Sequence, residues 1–467
     1  MIIWYNEQMN RHDLLDPHRW AEETFGGVLL KDLRRTRRAV MAAERMAGNA
    51  SASLPAQMQR RKGTKALYRL LNEPDVTFEG LMQPHWEQTR KQMEALPEVL
   101  LVQDTTDLDY THHPKTTGLG PIGDNRGRGL LLQTVLAIDP ATHQVLGCAQ
   151  QEAFLRQPAP AGETRVQRRR RDKESDVWGR CVQVIGPARS STRFVHVADR
   201  AADDFAFLDT CRQTQTHFVV RATQDRRVQR QEEPLSHLLA ELSQLAAVDE
   251  RPFEVPASHG RKARSTSLHL AWIHLSLLPP RHDPRLNKLQ PIPVWVVRVW
   301  EEEAPEGEEP LEWILFTSVA VTSCDQAWQR ADWYRCRWTV EDYHQCLKTG
   351  CRIQERQVQS AERLMRLLGL LSPVAVRLLQ VRDLARTTPD LPASQVIDPD
   401  AVAIVAARTD QSPHTLTSGS FWREVARIGG YQARKSDGPP GWKTLWKGWI
   451  YLQTLVEGVH LASHLRL

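Results

Sequence analysis

The sequence predicts an α/β protein, a core of strands and helices with a helical module at each end. Three observations predict it. Five strand-like runs between residues 98 and 221 alternate with helical stretches in the order strand, strand, strand, helix, strand, helix, strand. A strongly basic helical texture precedes them, and a Trp-rich helical texture closes the chain. That order of elements is the order of a ribonuclease-H-like core, in which the first and fourth strands lie side by side. At 467 residues the chain has room for roughly two to four domains.

The N-terminal module comes first. Residues 31–70 hold eleven Lys or Arg against two acids, a local balance of +9 in a chain of net charge +5. Such a block suits a polyanion, most often nucleic acid, and a solvated basic helix is the competing reading. Residues 18–49 predict a helix with Phe25, Leu29, Leu33, Val40 and Met41 set between Arg34, Arg35, Arg37 and Arg38. GNASASLP at 48–55 breaks it, and 57–72, carrying Lys62, Lys65 and Tyr68, resumes it. Asn72-Glu-Pro-Asp75 ends that segment, and another helix runs to about Leu96. Arginines on successive turns reach phosphates and base edges together.

The core follows. Residues 98–103 read as a buried strand ending at Asp104. Strands are expected at 130–138, 145–154, 193–198 and 217–221, with helices at 174–184 and 203–213. The loop 155–176 carries Arg168–Arg171, either facing DNA or simply solvated. Asp104 and Asp199 end the first and fourth strands, so the topology brings them together, and an acid from a later helix would complete a metal site. Asp is also an ordinary turn residue after a strand. Residues 222–310 read as a β-rich insertion whose acidic run 301–309 is a solvated hairpin loop, and 311–317 returns to the core.

Residues 334–348 contain neither Pro nor Gly and predict one unbroken helix. On it Tyr334, Arg337, Glu341 and Lys348 fall within about 60° of one another. They flank the apolar stripe of Trp333, Cys336, Val340, Tyr343 and Leu347, while Gln345, Trp338 and Asp342 face away. An acid between cations suits a metal ligand beside phosphate oxygens. The mixed-charge edge of an ordinary amphipathic helix has the same pattern. A long apolar helical stretch follows, with Pro373 as a kink site, then a loosely packed connection at 387–419. The tail offers two helices bearing Trp442, Trp446, Trp449, Leu452, Leu455 and Val459, either a packed cap or an oligomer face. The domain boundaries expected from this reading are 1–90, 91–221, 222–310, 311–385 and 386–467.

Other classes are disfavoured. Seven Cys without paired CxxC spacing predict reduced thiols, and Cys336, His344, Cys346 and Cys351 fit no common zinc spacing. No window approaches 18 uninterrupted apolar residues, and the first residues lack a basic-then-apolar leader. The expected location is the cytosol.

With these residues assembled, the sequence resembles the bacterial cut-and-paste DDE transposases, in the group of the kanamycin-resistance composite transposon and related insertion sequences. The carrying motifs are Tyr-x2-Arg-x3-Glu-x6-Lys at Tyr334, Arg337, Glu341 and Lys348, Asp-Thr-Thr at Asp104, and Asp-Arg-x-Ala-Asp at Asp199. KESDVW at 173–178, FVVR at 218–221, EWILFT at 312–317 and RRTRR at 34–38 add to them. The resemblance implies that Asp104, Asp199 and Glu341 are catalytic and hold two magnesium ions about 3.5–4 Å apart, with manganese able to substitute. It implies DNA contacts by Tyr334, Arg337, Lys348, Trp338, Arg221, His344 and Arg200, with Trp313 stacking on a flipped base. It further implies a homodimer on paired double-stranded inverted-repeat ends, a hairpin intermediate, and joining of 3′ ends to target DNA. A transposase-derived regulator, or a nuclease without strand transfer, is the alternative.

Overall fold

In the computed structural model, residues 14–465 are described, apart from 15, 158–159, 165–166, 168–170, 172, 232, 256–262, 388, 396 and 435–437. Arg168–Arg170 and Met9, a possible alternative start, therefore lie outside the described residues; Arg171 is described and pairs with Glu163 at 2.8 Å.

Among the described residues the N-terminal module has five named helices: α1 Pro17–Phe25, α2 Leu33–Gly48, α3 Leu54–Met58, α4 Arg61–Asn72 and α5 Phe78–Glu94. The single helix expected over 18–49 is two. Gly26 and Gly27 end the first, since glycine is costly inside a helix, and the Asp32 side chain starts the second by accepting from the Arg34 N–H. Leu29 and Leu33 lie in and after this break and are 92% and 74% exposed, and Met41 is also exposed, so of the five expected apolar residues only Phe25 and Val40 are core. A left-handed Gln59 (φ +57°) likewise splits the segment expected at 57–72.

The core is one mixed sheet. Its first part comprises β1 Glu98–Asp109, β2 Gly120–Ile122, β3 Gly127–Ile138, β4 Val145–Phe154, β5 Arg193–Ala198 and β6 His217–Arg221. Strands β4, β3, β1, β5 and β6 lie side by side in that order. β1, β5 and β6 are mutually parallel, and β3 runs antiparallel to β1. This is the ribonuclease-H-like arrangement. Helices α6 Asp176–Ile185 and α7 Phe205–Gln213 supply the apolar layer on one face.

The residues expected to form a separate insertion extend the same sheet. They hold β7 Arg227–Gln229, β8 Ser236–His237, α8 Leu238–Ser243, β9 Asp249–Val255, β10 Arg264–Leu277 and β11 Ile292–Glu301. β12, Glu312–Thr317, pairs with both β11 and β6 and closes the gap. Alternation of apolar residues along β10 and β11 reads the same for an appended sheet as for a continued one. The run 301–309 is also not wholly solvated: Glu301 is buried in an ion pair with Arg264, which holds its carboxyl down at about 2.

The other face carries α9 Cys324–Arg335, α10 Trp338–Gln345 and α11 Ala361–Thr387. Within α11, Ala361–Leu384 is long and apolar enough to cross a membrane, but 89% of its most apolar window is buried inside the protein. That character serves the core. The stretch expected as a loose connection contains α12 Pro399–Arg408, which buries Ala401, Val402, Val405 and Ala406. It is capped by Asp398 and opened by Pro399, a start signal hidden in a Pro-rich context. Finally α13 Ser418–Ile428 and α14 Trp442–Leu465 pack together.

The tail tryptophans are covered by their own chain. Trp442, Trp446 and Trp449 are all buried; Trp449 meets Trp422 and Phe421, and Trp442 donates to Gln345 at 3.2 Å. They form a packed cap, which the chain end allows because α14 folds back beside α13. Among the described residues, the large exposed apolar side chains of α14 are Tyr451, Val459 and Leu461.

Candidate active site

The two aspartates are set by strand register. β1 and β5 pair in parallel from Glu98↔Arg193 to Val102↔Val197. Asp104 and Asp199 each lie two residues beyond the last pair, at matching positions. Side chains alternate between faces along a strand. Leu100, Val102, Val195 and Val197 belong to the core layer beneath α10, and Asp104 and Asp199 share their parity. The carboxylates therefore sit on the face that α10 covers with Val340, Tyr343 and Glu341.

One expectation needs correction. β1 does not end at Asp104 but continues to Asp109, because its other neighbour, β3, keeps pairing through Asp109↔Gly129. Only the ladder to β5 stops. Asp104 is thus a mid-strand residue, opposite Thr134, and mostly buried. Burial, then the neighbouring Asp199, pushes its carboxyl up to about 6, against the Thr105 N–H and Arg337, with Glu341 adding to the rise. The Thr105 N–H donates to Asp104 Oδ1 at 2.8 Å. Asp199 accepts from the Ala201 N–H at 2.8 Å and caps the short turn Arg200–Ala202.

The helix over 334–348 is also not continuous. α9 ends at Arg335, the next turn tightens to three-residue hydrogen bonds (Arg337 N to Tyr334 O, 3.0 Å; Val340 N to Arg337 O, 3.2 Å), and α10 starts at Trp338. It ends in a π-helical turn, Cys346–Gly350. Lack of Pro and Gly permits a helix but does not fix its pitch; packing does. At this junction Cys336 is drawn to His143, 3.1 Å from Nδ1 to Sγ. The expected stripe is accordingly split in burial. Tyr334 and Arg337 are buried, while Glu341 and Lys348 are half-exposed.

Arg337 pairs with Glu341 at 2.8 Å and stacks on Trp338 at 4.3 Å, and Trp338 itself is 58% exposed. Lys348 donates to Thr106 Oγ1 at 2.7 Å, and burial lowers its pKa. His344, expected as a DNA contact, is not on the surface. It is buried against Thr134 Oγ1 (3.3 Å), and burial, then Lys348, pulls it down to about 3, so it is neutral and inward.

Beside the junction lies a cleft of about 1230 Å³. Trp313 lines it, 6.1 Å from the Tyr334 ring and edge-on to Phe253 at 5.9 Å. Arg221 also lines it and donates to Glu312 O at 2.9 Å. Arg251, Phe253 and Arg335 are further lining residues that the sequence did not single out. Phe253 and Arg251 sit on β9, and only the fold carries that strand to Trp313. Arg200 is exposed and has no ion pair with a described residue.

For a metal, the candidate donors are three hard carboxylates near enough that Asp199 and Glu341 both raise Asp104, a chemistry that suits a divalent cation bound through oxygen. Among the described residues no three potential ligands yet converge as a ready cluster. Glu341 pairs with Arg337 through Oε1.

In the N-terminal module the basic side chains differ. Arg34 is paired with Asp32, and Arg35 with Glu73 and Asp75. Arg37, Arg38, Lys62 and Lys65 have no ion pair with a described residue, and Tyr68 is exposed beside a smaller cleft lined by Arg352 and Arg356.

Three family profiles match the chain in succession. Residues 17–76 match the family described as transposase DNA-binding, 173–375 the transposase DDE domain, and 373–466 the transposase Tn5 dimerisation domain. Asp199 and Glu341 fall inside the DDE match, and Asp104 lies ahead of it. A DNA-binding region, a catalytic region on a ribonuclease-H-like sheet and a dimerisation region, in that order, place this chain in the Tn5-type DDE transposases.

Proposed function

We propose that the protein carries out cut-and-paste transposition as a homodimer on paired transposon ends. Asp104, Asp199 and Glu341 would be the catalytic carboxylates. The observation that carries this reading is the register that sets Asp104 and Asp199 side by side on the face covered by the Glu341 helix. The three would hold two divalent ions, magnesium with manganese as substitute, which when bound activate a hydroxyl nucleophile and stabilise the leaving oxygen. Residues 1–90 would read the end sequence, and 386–467 would pair the protomers. Joining to target DNA and passage through a hairpin belong to the same reading.

The residues around the cleft fit the hairpin step. A 3′-hydroxyl reaches the opposite strand only if the duplex yields, and turning out a base costs a few kcal/mol. Stacking on an aromatic ring returns about 1–3 kcal/mol. Trp313, half-buried and braced by Tyr334 and Phe253, offers such a ring beside Arg335 and Arg221. The test is a time course of nicked, hairpin, double-strand-cut and joined products in magnesium. Trp313→Ala is expected to leave nicking near normal and slow the hairpin roughly 10- to 100-fold, at a factor of ten per about 1.36 kcal/mol. Cutting without joining by the parent protein would favour a nuclease, and end binding without cutting a regulator.

End binding gives a separate expectation. Replacing Arg37, Arg38, Lys62 and Lys65 by Ala should flatten the salt dependence of binding by about 0.9 log unit per lost phosphate contact. Replacing Arg34 and Arg35 should change the slope less, because their charges are already paired within the module. Equal slopes for both sets, measured by gel shift between low and moderate salt, would move the DNA surface elsewhere.

A further inference from the structure

On the opposite face of the sheet from the two aspartates, four polar side chains are linked in a row inside an apolar layer. Thr105 Oγ1 donates to Gln133 Oε1. Gln133 Nε2 donates to Gln103 Oε1 at 3.1 Å, and Gln103 Nε2 meets His196 Nδ1 at 3.1 Å. Gln103, Gln133 and His196 are fully buried. Burial drives His196 down to about 3, so its ring is neutral and free to accept at Nδ1. The ring stands edge-on to Phe207 at 6.4 Å, and its Nε2 finds no partner among the described residues.

Such a row is costly to bury, and nothing in the packing of that layer calls for it. Val99, Leu101, Val135, Ala137 and Phe194 around it are apolar. Its location is specific. Gln103 and Thr105 are the two chain neighbours of Asp104. The row spans β3, β1 and β5, and it bridges β1 to β5 close to where their backbone ladder stops at Val102↔Val197. Gln103 reaches back diagonally to His196, which faces Leu101 in the register. A strand residue whose neighbours on both sides are tied down on one face cannot pivot its own side chain freely on the other.

We infer that the Thr105–Gln133–Gln103–His196 chain is a positioning device that fixes Asp104 against Asp199 and so sets the spacing of the carboxylates. The inference rests on the metal-holding role proposed above. None of the four touches the reacting atoms; they act through Asp104, as outer-shell partners act on the ligands of other metal sites.

The test uses the full-length protein bound to its end DNA. Mn2+ binding is titrated by electron paramagnetic resonance, and nicking is followed against Mn2+ concentration. The variant Gln103→Leu/Gln133→Leu/His196→Phe replaces the row with apolar groups of similar size. It is expected to fold, bind end DNA as the parent does, and need roughly 10- to 100-fold more Mn2+ in both measurements. Thr105→Val, which cuts only the first link, should shift the requirement in the same direction, and Thr105→Ser should restore it. Unchanged Mn2+ binding by the folded triple variant would overturn the inference. If the triple variant does not fold, Thr105→Val decides alone, and parent-like Mn2+ binding there would overturn it equally. Asp104→Ala separates the two layers of argument. If it too binds Mn2+ like the parent, the metal assignment fails. If it loses Mn2+ while the row variants keep it, only the positioning role falls.

Discussion

Asp104→Ala, Asp199→Ala and Glu341→Ala are each expected to reduce nicking of end DNA at least about a thousandfold while end binding survives. Metal-assisted charge stabilisation contributes several kcal/mol, and each 1.36 kcal/mol or so is a factor of ten. Affinity for DNA comes mainly from phosphate contacts made elsewhere. The three variants should differ in stability. Asp104 is a partly buried acid beside another acid, so removing it relieves repulsion and should not lower the melting temperature. Glu341→Ala instead leaves the buried Arg337 without its ion-pair partner. Because Glu341 is 43% exposed, the loss should be about 1 kcal/mol rather than the roughly 3–5 kcal/mol of a fully buried pair. Glu341→Gln should recover that stability without recovering cleavage. Near-parent nicking in magnesium by any of the three alanine variants would end the assignment.

Truncation before Trp442 should unfold the C-terminal module rather than yield a clean monomer. Trp442, Trp446 and Trp449 are all buried, Trp449 against Trp422 and Phe421. Removing one such aromatic costs roughly 3–5 kcal/mol, and three together rival the whole stability of a domain, about 5–15 kcal/mol. Lost cleavage by that truncation would therefore say little about pairing of protomers. The exposed side of α14 gives the cleaner experiment. Val459→Glu/Leu461→Glu should leave the melting temperature nearly unchanged, since both residues are more than half exposed. It should shift the protein from dimer to monomer on end DNA by light scattering. Paired-end cleavage should be lost and single-end binding kept. A dimer of unchanged stability would place the pairing surface off this face.

Much of this molecule was legible in its sequence, for reasons that also explain what was not. Strands β3 to β6 were read closely because their apolar runs are bounded by polar turns, and Asp104 and Asp199 followed from the order of elements. Burial of the tail tryptophans was not readable, because a Trp-rich amphipathic helix has the same pattern whether it meets its own chain or another. The burial of His344 is likewise not local information: helical phase sets it one turn after Glu341, and only the fold brings Thr134 of β3 against its ring. The pairing of Arg35 is hidden because its acidic partners Glu73 and Asp75 lie some forty residues away, whereas Arg34 pairs with the neighbouring Asp32. Phe253 and the Gln103–His196 contact depend on strand neighbours distant in sequence, where local periodicity carries no information.

The continuity of the sheet through β12 also has a temporal side. β6 must wait for β12, about 90 residues later, before its second edge is paired. At the ribosome's pace of about 5–20 residues per second, that is a delay of roughly 5–18 seconds with an apolar strand edge open. Glu341 emerges later still. The nascent chain can thus build its N-terminal helices, from contacts close in sequence, well before it owns a complete set of carboxylates. Recognition of DNA and the capacity to cut it are separated in the order of synthesis, with the open edge of β6 as the interval's hazard.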